Sequence, residues 1–378
     1  MSAAFHSPPS PKSHLGRYRL LSPTASVRVS PLCLGAMNFG NAWESYMGAC
    51  DQATTEIILD YYFDQGGNFI DTASNYQFQE SETWIGEWMA KRGNRDQIVL
   101  ATKYTTNFMA GPIHPPVMAN YTGNGTKSLE LSVNASLRKL QTDYIDLLYV
   151  HWWDYSCSIP ELMQSLNRLV LARKVLYLGI SDSPAWVVSK ANEYARAHGL
   201  RQFCVYQGRW SADRRDFERD IIPMCRTEGM ALVPWGALGN GRYKTEEQRK
   251  QAGPSGRHSE SADKVSQVLE VIAKRKNSII TSIALAYVMH KAPYVFPIVG
   301  GRKVEHLKGN IDALSINLRV EDLHDIESAV PFDLGFPHNM LWGNQVPSAM
   351  TQISFLEMGG EFDYVEDPKP IPPVKPEP

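Results

Sequence analysis

One rhythm constrains this chain more than any other feature. A short apolar run is followed by an amphipathic stretch, and the pair recurs eight times. The runs are PLCLGAM (31–37), NFIDTA (68–73), QIVLATK (97–103), YIDLLYVHW (144–152), VLYLGIS (175–181), QFCVYQ (202–207), ALVPWG (231–236) and VFPIVG (295–300). Each is rich in Val, Ile, Leu or aromatic residues, as parallel strands covered on both faces should be. The stretches between them read as helices. In TTEIILDYYFDQGG, Ile57, Ile58, Tyr61 and Tyr62 fall on one face, and Gly66 or Gly67 ends the helix. PELMQSLNRLVLARKV starts at Pro160 and carries the stripe Leu162, Leu166, Leu169 and Val170. PAWVVSKANEYARAHGL opens on a proline and closes at Gly199. Eight alternations predict an α/β fold of the (β/α)8 TIM-barrel type rather than an open sheet. Ahead of the first run, YRLL and SVRVS flank SPTA and predict a hairpin laid over the bottom of the barrel.

A chain of 378 residues is long enough for two domains, but barrels of this type run to such lengths as one unit. The expected organisation is a disordered N-terminal segment over 1–16, a barrel over 17–330, and a C-terminal loop with a Pro-rich tail over 331–378. Two connections are too long to be mere links: 104–127 after the third run and 237–262 after the seventh. Both fall at the strand end where barrels build their sites. The stretch from Pro331, with FDLGFPHNMLWG, is expected to add a third wall. A net charge of −2 gives no basic surface for nucleic acid or membrane. No apolar run reaches the roughly 18–20 residues of a membrane span, and the Ser/Pro-rich N-terminus lacks the apolar core of a secretory signal, so a cytoplasmic location is expected. The five cysteines are scattered without a C-x-x-C pair and are expected to be reduced and buried. The Asn-x-Ser/Thr triplets at Asn120, Asn124 and Asn134 then read as chance.

The ends of the runs carry unusual residues. Asp71 ends the second, Lys103 the third and His151 the fourth; Ser181 and Asp182 end the fifth, Gln207 the sixth, and Trp235 lies at the seventh. Tyr76 follows Asp71 by five residues. Each has an ordinary structural use taken alone: Asp71 as a cap, Lys103 snorkelling from the rim, His151 in the core, Tyr76 in packing. Four ionisable types at three adjacent strand ends of one barrel mouth point instead to chemistry. A Lys⁺ beside a phenol stabilises the phenolate and is expected to lower its pKa; a carboxylate keeps that Lys charged; an imidazole can orient a carbonyl. No Ser or Cys is framed by a base, and no His/Cys/Asp spacing suggests a metal.

The set DTASNY (Asp71, Tyr76), ATK (Lys103) and YVHWWD (His151) resembles the catalytic tetrad of the aldo-keto reductases, in the same chain order and over roughly residues 17–330. The resemblance implies reduction of a carbonyl to an alcohol with NADPH (oxidised form NADP+). Tyr76 would protonate the oxygen, Lys103 and Asp71 would tune it, and His151 would orient the substrate, with Asp71 also bordering the cofactor. GISDSPAW resembles the segment that holds the nicotinamide carboxamide, giving Ser181 and Asp182; much of the family has Asn at the second position, and an Asp cannot donate as an amide does. By the same resemblance Gln207 is a further carboxamide contact, and Trp235 stacks on the nicotinamide ring. GALGNG (Gly236, Leu238, Gly239, Gly241) would begin the loop across the pyrophosphate. Its order is G-x-x-G-x-G, not that of a Rossmann fold. In VGGRKVEHLKGN, Gly300 and Gly301 precede Arg302 and Lys303, then His306 and Asn310. Barrels commonly bind phosphate at this point, and two cations suit a 2′-phosphate.

Within the family, RLLSPTASVRVSPLCLGAMNFG, GISDSPAWVV and VHWWD look most like the aryl-alcohol dehydrogenase and norsolorinic acid reductase branch, which is largely fungal. That implies a small carbonyl substrate, an aromatic aldehyde, aryl ketone or polyketide intermediate, with His151, Trp152 and Tyr104 as contacts and Trp153, Phe108 and Trp43 as further aromatic lining. The potassium-channel β subunits, which resemble this family and keep the cofactor site, supply the alternative: a nucleotide-sensing regulatory subunit.

Overall fold

The computed structural model describes residues 9–252, 258–346 and 353–373. The first half of the expected disordered segment, residues 253–257 of the second long connection and the last residues of the Pro-rich tail lie outside the described residues.

All eight apolar runs become strands of one parallel sheet: β3 (Cys33–Gly35), β4 (Phe69–Asp71), β5 (Val99–Tyr104), β6 (Ile145–Val150), β7 (Val175–Ser181), β8 (Phe203–Arg209), β9 (Ala231–Trp235) and β10 (Ile298–Val299). Strands β3 to β9 pair in chain order, and β10 returns to pair with β3. The sheet closes where Leu232 bridges Val295, its amide donating to Tyr294 O at 2.9 Å. Ahead of the sheet, β1 (Arg19–Ser22) and β2 (Ala25–Val29) form the expected antiparallel hairpin. Its Leu21, Ala25 and Val29 pack with Phe69, Val99, Leu147, Cys204 and Phe296. Those partners lie near the starts of their strands, so the hairpin plugs the bottom of the barrel.

The alternation of a strand decides which side chains reach the interior. In β5, Val99 and Ala101 face the interior cluster, whereas Leu100 and Tyr104 join the layer between strands and helices. Lys103 therefore points inward, because it shares the parity of Val99 and Ala101. Gly179 is bare where β7 passes the ring of Tyr149; a Cβ there would lie 2.5 Å from ring carbons.

The helices follow the expected stripes with one shift. In Gln52–Asp64 the buried positions are Thr55, Ile58, Leu59 and Tyr62, while Ile57 is exposed, so the stripe sits one residue further on than expected. Tyr62 sets that rotation: its hydroxyl reaches Ser30, Leu32 O and Phe69 O at 2.7–2.8 Å, tying the helix to the starts of β3 and β4. Gly66 (φ 96°) ends this helix and Gly199 (φ 64°) follows the end of Ala185–Ala197, both in the left-handed region where glycine costs nothing. Helix Ile159–Leu171 is capped by Ser158 Oγ, which accepts from Glu161 N at 3.2 Å.

Order also begins before residue 17. His14–Gly16 form a 3-10 turn that buries Leu15 completely, and Ser13 Oγ donates to Gln65 O at 2.9 Å. One apolar residue with a floor to bury against is enough to fix this end of the segment. The connection 237–262 is likewise not a bare loop: Gly239–Gly241 form a 3-10 turn and Glu246–Ala252 a helix. The stretch after Pro331 docks on the segment following β8, with Arg215 and Arg219 over the ring of Phe332 and Arg219 Nε donating to Leu334 O at 2.8 Å. Among the described residues no helix is long and apolar enough to cross a membrane. The five cysteines are free and buried.

Candidate active site

The C-terminal ends of the strands bring Asp71, Tyr76, Lys103 and His151 together. Lys103 is almost completely buried and its Nζ meets three oxygens: Asp71 Oδ1 at 2.5 Å, Thr72 O at 2.8 Å and Tyr76 Oη at 3.3 Å. Asp71 caps no helix. Its second oxygen accepts from Gln207 Nε2 at 2.9 Å, so the carboxylate bridges β5 to β8 across the barrel. Tyr76 packs edge-on to His151, with ring centroids 5.9 Å apart, and edge-on to Trp43 at 6.2 Å. Behind Tyr76 the backbone passes through three consecutive left-handed residues, Gln77, Phe78 and Gln79. Buried Gln77 fixes this turn: its Oε1 accepts from Trp43 N at 2.7 Å and its Nε2 donates to Met37 O at 3.0 Å.

Electrostatics assigns each group a state. Burial opposes the charge on Lys103, but Asp71 and then Tyr76 outweigh it and raise its pKa, so the ammonium persists at neutral pH. Burial pushes the Tyr76 phenol up, while Lys103 pulls it down. Burial wins, so the phenol lies above its ordinary value, opposite to the direction expected from Lys103 alone. His151 is held down to about 3, first by burial and then by Lys103, and is neutral.

Around this centre lie the other residues read from the sequence. Ser181 Oγ is buried and makes no hydrogen bond of good geometry. Asp182 (φ 40°) donates its backbone N–H to Gln207 O at 3.0 Å and accepts from Trp235 Nε1 at 3.3 Å. Burial raises its carboxyl to about 6 against that hydrogen bond. Gly236, Gly239 and Gly241 all have φ between 70° and 77°, a turn that residues with a Cβ would strain. Leu238 between them packs partly buried against the core. Gly300 and Gly301 lead into helix Val304–Asp312, with Arg302, Lys303 and His306 exposed before and along its first turn. Asn38 Nδ2 holds Gly301 O at 2.9 Å. The Arg302 guanidinium lies on Gly48; a Cβ there would fall 1.6 Å from Nη1. Asn310 is buried on this helix beside Leu307 and Ile311, one turn after His306 and on the same side as it.

The orphaned Ser181 hydroxyl, the glycine turn and the exposed cations at a helix N-terminus fit a large polar anionic ligand laid from the mouth to the end of β10. Among the described residues no cluster of three or more His, Cys, Asp or Glu could hold a metal ion.

Of the aromatic residues expected to line the mouth, Trp43 stands against Tyr76, and Trp152 is 36% exposed. Tyr104 does not reach it. Having the opposite strand parity to Lys103, it is buried in the helix layer with its hydroxyl donating to Asn124 O at 3.2 Å. Trp153 is buried in that layer as well, and Phe108 is buried edge-on to Tyr121. Asn124, one of the Asn-x-Thr positions, is fully buried. Thr106 went unnoticed in the sequence; its hydroxyl lies 3.2 Å from His151 Nδ1, and only the fold, not a motif, brings them together.

The sheet is a closed (β/α)8 barrel with Asp71, Tyr76, Lys103 and His151 converging at its mouth. A profile of the aldo/keto reductase family matches residues 31–331, and the chain belongs to that family. It is 57% identical over 369 residues to norsolorinic acid reductase B of Dothistroma septosporum, covering 94% of each chain. It is 55% identical over 377 residues to an aryl-alcohol dehydrogenase of Pestalotiopsis microspora, covering 98% of this chain and 97% of that one. A putative aryl-alcohol dehydrogenase of Saccharomyces cerevisiae is 52% identical over 352 residues, covering 90% of this chain and 94% of the yeast protein.

Proposed function

We propose that this protein is a cytoplasmic NADPH-dependent reductase of aromatic aldehydes or aryl ketones, with Tyr76 as proton donor. The observation that carries the reading is the Lys103 ammonium held between Asp71 and the Tyr76 hydroxyl at the barrel mouth. A nicotinamide held by Ser181, Asp182, Gln207 and Trp235 would supply hydride-transfer chemistry at the carbonyl carbon. Everything else falls to this chain. A carbonyl oxygen placed between Tyr76 Oη and the His151 ring meets a protonated phenol and a neutral imidazole. As charge develops on that oxygen, Tyr76 gives up its proton, and the phenolate left behind faces Lys103 Nζ at 3.3 Å. Asp71 keeps Lys103 charged for that moment. Ser181, Asp182 and Gln207 would hold the carboxamide and Trp235 the ring face. Gly236, Leu238, Gly239 and Gly241 would follow the pyrophosphate, and Gly300, Gly301, Arg302, Lys303 and His306 the 2′-phosphate. Trp43 and Trp152 at the mouth, together with the names of the relatives, support an aromatic substrate.

The test is turnover of NADPH, followed by its absorbance, with a panel of benzaldehydes and aryl ketones. Measurable turnover is expected. Tight cofactor binding without turnover on any member would instead support a nucleotide-sensing role. Cofactor choice has its own check. Removing both cations (Arg302→Ala with Lys303→Ala) should weaken NADPH binding by about 10- to 100-fold, as loss of a charge-assisted contact worth about 1.5–3 kcal/mol requires. NADH binding should barely change. Equal weakening of both nucleotides in a titration would count against the assignment of these cations to the 2′-phosphate.

A further inference from the structure

We propose that Thr106 is a positioning residue that fixes His151 in the tautomer carrying its proton on Nε2, the nitrogen left free to meet the substrate oxygen. This inference rests on the reductase reading for its meaning, but not for its test.

The hydrogen bonds run in one direction. Trp152 Nε1 lies 3.0 Å from Thr106 Oγ1, and an indole N–H can only donate. That occupies one lone pair of the hydroxyl and leaves it one proton and one lone pair. His151 Nδ1 lies 3.2 Å from the same oxygen. If Nδ1 is bare, it accepts the hydroxyl proton and every group in the chain Trp152–Thr106–His151 is satisfied. If Nδ1 carries the proton, it donates into the remaining lone pair and leaves the hydrogen of the half-buried Thr106 hydroxyl with only solvent as its partner. The first arrangement is therefore favoured, and a neutral imidazole then has its proton on Nε2.

The backbone is bent to make this contact. Thr105, a β-branched residue, sits at φ 101°, where such a residue is a genuine outlier. Four hydrogen bonds hold it there: Thr122 Oγ1 and Gly123 N to its carbonyl at 2.9 and 2.8 Å, and Asn124 Nδ2 and His151 N to its hydroxyl at 3.0 and 3.3 Å. Asn124 also donates to Trp152 O at 3.0 Å and accepts from Asp154 N at 2.8 Å, which locks the segment after β5 to the segment after β6. Strain held this tightly beside a reacting group is the kind that persists for a purpose. The strained residue turns the chain so that the next side chain, Thr106, faces His151.

The consequence is chemical. With Nε2–H facing the carbonyl, His151 is a second hydrogen-bond donor beside Tyr76, and both polarise the same oxygen. With the other tautomer, a nitrogen lone pair would face the oxygen and repel it.

Protein labelled with ¹⁵N-histidine answers the question directly, because long-range ¹H–¹⁵N correlation shows which ring nitrogen bears the proton; His151→Gln identifies the signal. Wild type is expected to show a bare Nδ1 and a protonated Nε2. Thr106→Val, which keeps the shape and removes the hydroxyl, should relax His151 from a single Nε2–H form toward the tautomer mixture of a free imidazole. The same substitution should lower kcat about tenfold with little change in cofactor affinity, and Thr106→Ser should restore both signal and rate. A wild-type spectrum with the proton on Nδ1, or an unchanged tautomer in Thr106→Val, overturns the proposal. The spectrum is read without turnover, so failure to find a substrate leaves this result standing. If the valine variant does not fold, Thr106→Ala, which also lacks the hydroxyl, is read in the same way.

Discussion

Tyr76→Phe should abolish carbonyl reduction, lowering kcat by about 10²- to 10⁴-fold while the protein stays folded and still binds NADPH. The loss should be large because, in the proposed mechanism, the removed atom is the proton donor, and no other acid stands in its place. Lys103 is buried behind it, engaged by Asp71 and Thr72 O, and His151 is held neutral at about 3. The effect on stability should be small, about 1 kcal/mol or less, because the phenol makes one long hydrogen bond, at 3.3 Å, and its partner keeps two others. The ring remains to pack on Trp43 and His151. The pH profile carries the sign of the Tyr76 shift. Burial keeps the phenol protonated at neutral pH and above, so reduction should be level from about pH 6 to 9 and fall only as the phenol, ordinarily near 10, ionises. Oxidation of the alcohol needs the phenolate and should rise over the same alkaline limb. Stopped-flow turnover with a folded Phe variant settles the matter; retention of more than a tenth of the wild-type kcat would remove Tyr76 from the role of donor.

The barrel could be read from the sequence because its strands are short, apolar and separated by helices with clear stops. Each apolar run became a strand, since no other arrangement buries both faces of so many short segments. The meeting of these side chains at one mouth was legible for a related reason: Asp71, Lys103 and His151 are polar residues at the ends of buried runs, where an apolar side chain would otherwise stand. What escaped depends on rotation and on long-range contact. Ile57 and Ile58 are equally apolar, and only the anchoring of Tyr62 to the starts of β3 and β4 decides which of them faces water. Tyr104 is an aromatic residue next to Lys103, yet strand parity turns it into the helix layer. Thr106 and Thr105 look like ordinary loop residues; their meaning lies in a φ of 101° and in partners 45 or more residues away. Leu15 sits in a Ser/Pro-rich stretch, and composition alone cannot show that a floor awaits it.

Lys103→Met should be both inactive and less stable, and the pairing with Asp71 shows why the two losses can be separated. The Lys103 ammonium and the Asp71 carboxylate are 0% and 4% exposed at their side chains and 2.5 Å apart. Removing one partner leaves the other buried without its countercharge, which typically costs about 3–5 kcal/mol. Asp71→Leu alone should cost a similar amount, because it strands Lys103 with only a backbone carbonyl and a phenol. In the double variant no uncompensated charge remains, and stability should recover most of the loss, giving a coupling of about 2 kcal/mol or more in a denaturant-unfolding cycle. Activity should not recover, because nothing then stabilises the Tyr76 phenolate. One further reading distinguishes electrostatics from mere packing. Lys103 is one of the two causes that hold His151 near 3, so in Lys103→Met the imidazole should titrate at a visibly higher pH in a ¹⁵N-histidine spectrum. A Lys103→Met protein as stable as wild type, with His151 unmoved, would mean that the cation is not the charged centre of the site, and the proton-donor role of Tyr76 would lose its physical basis.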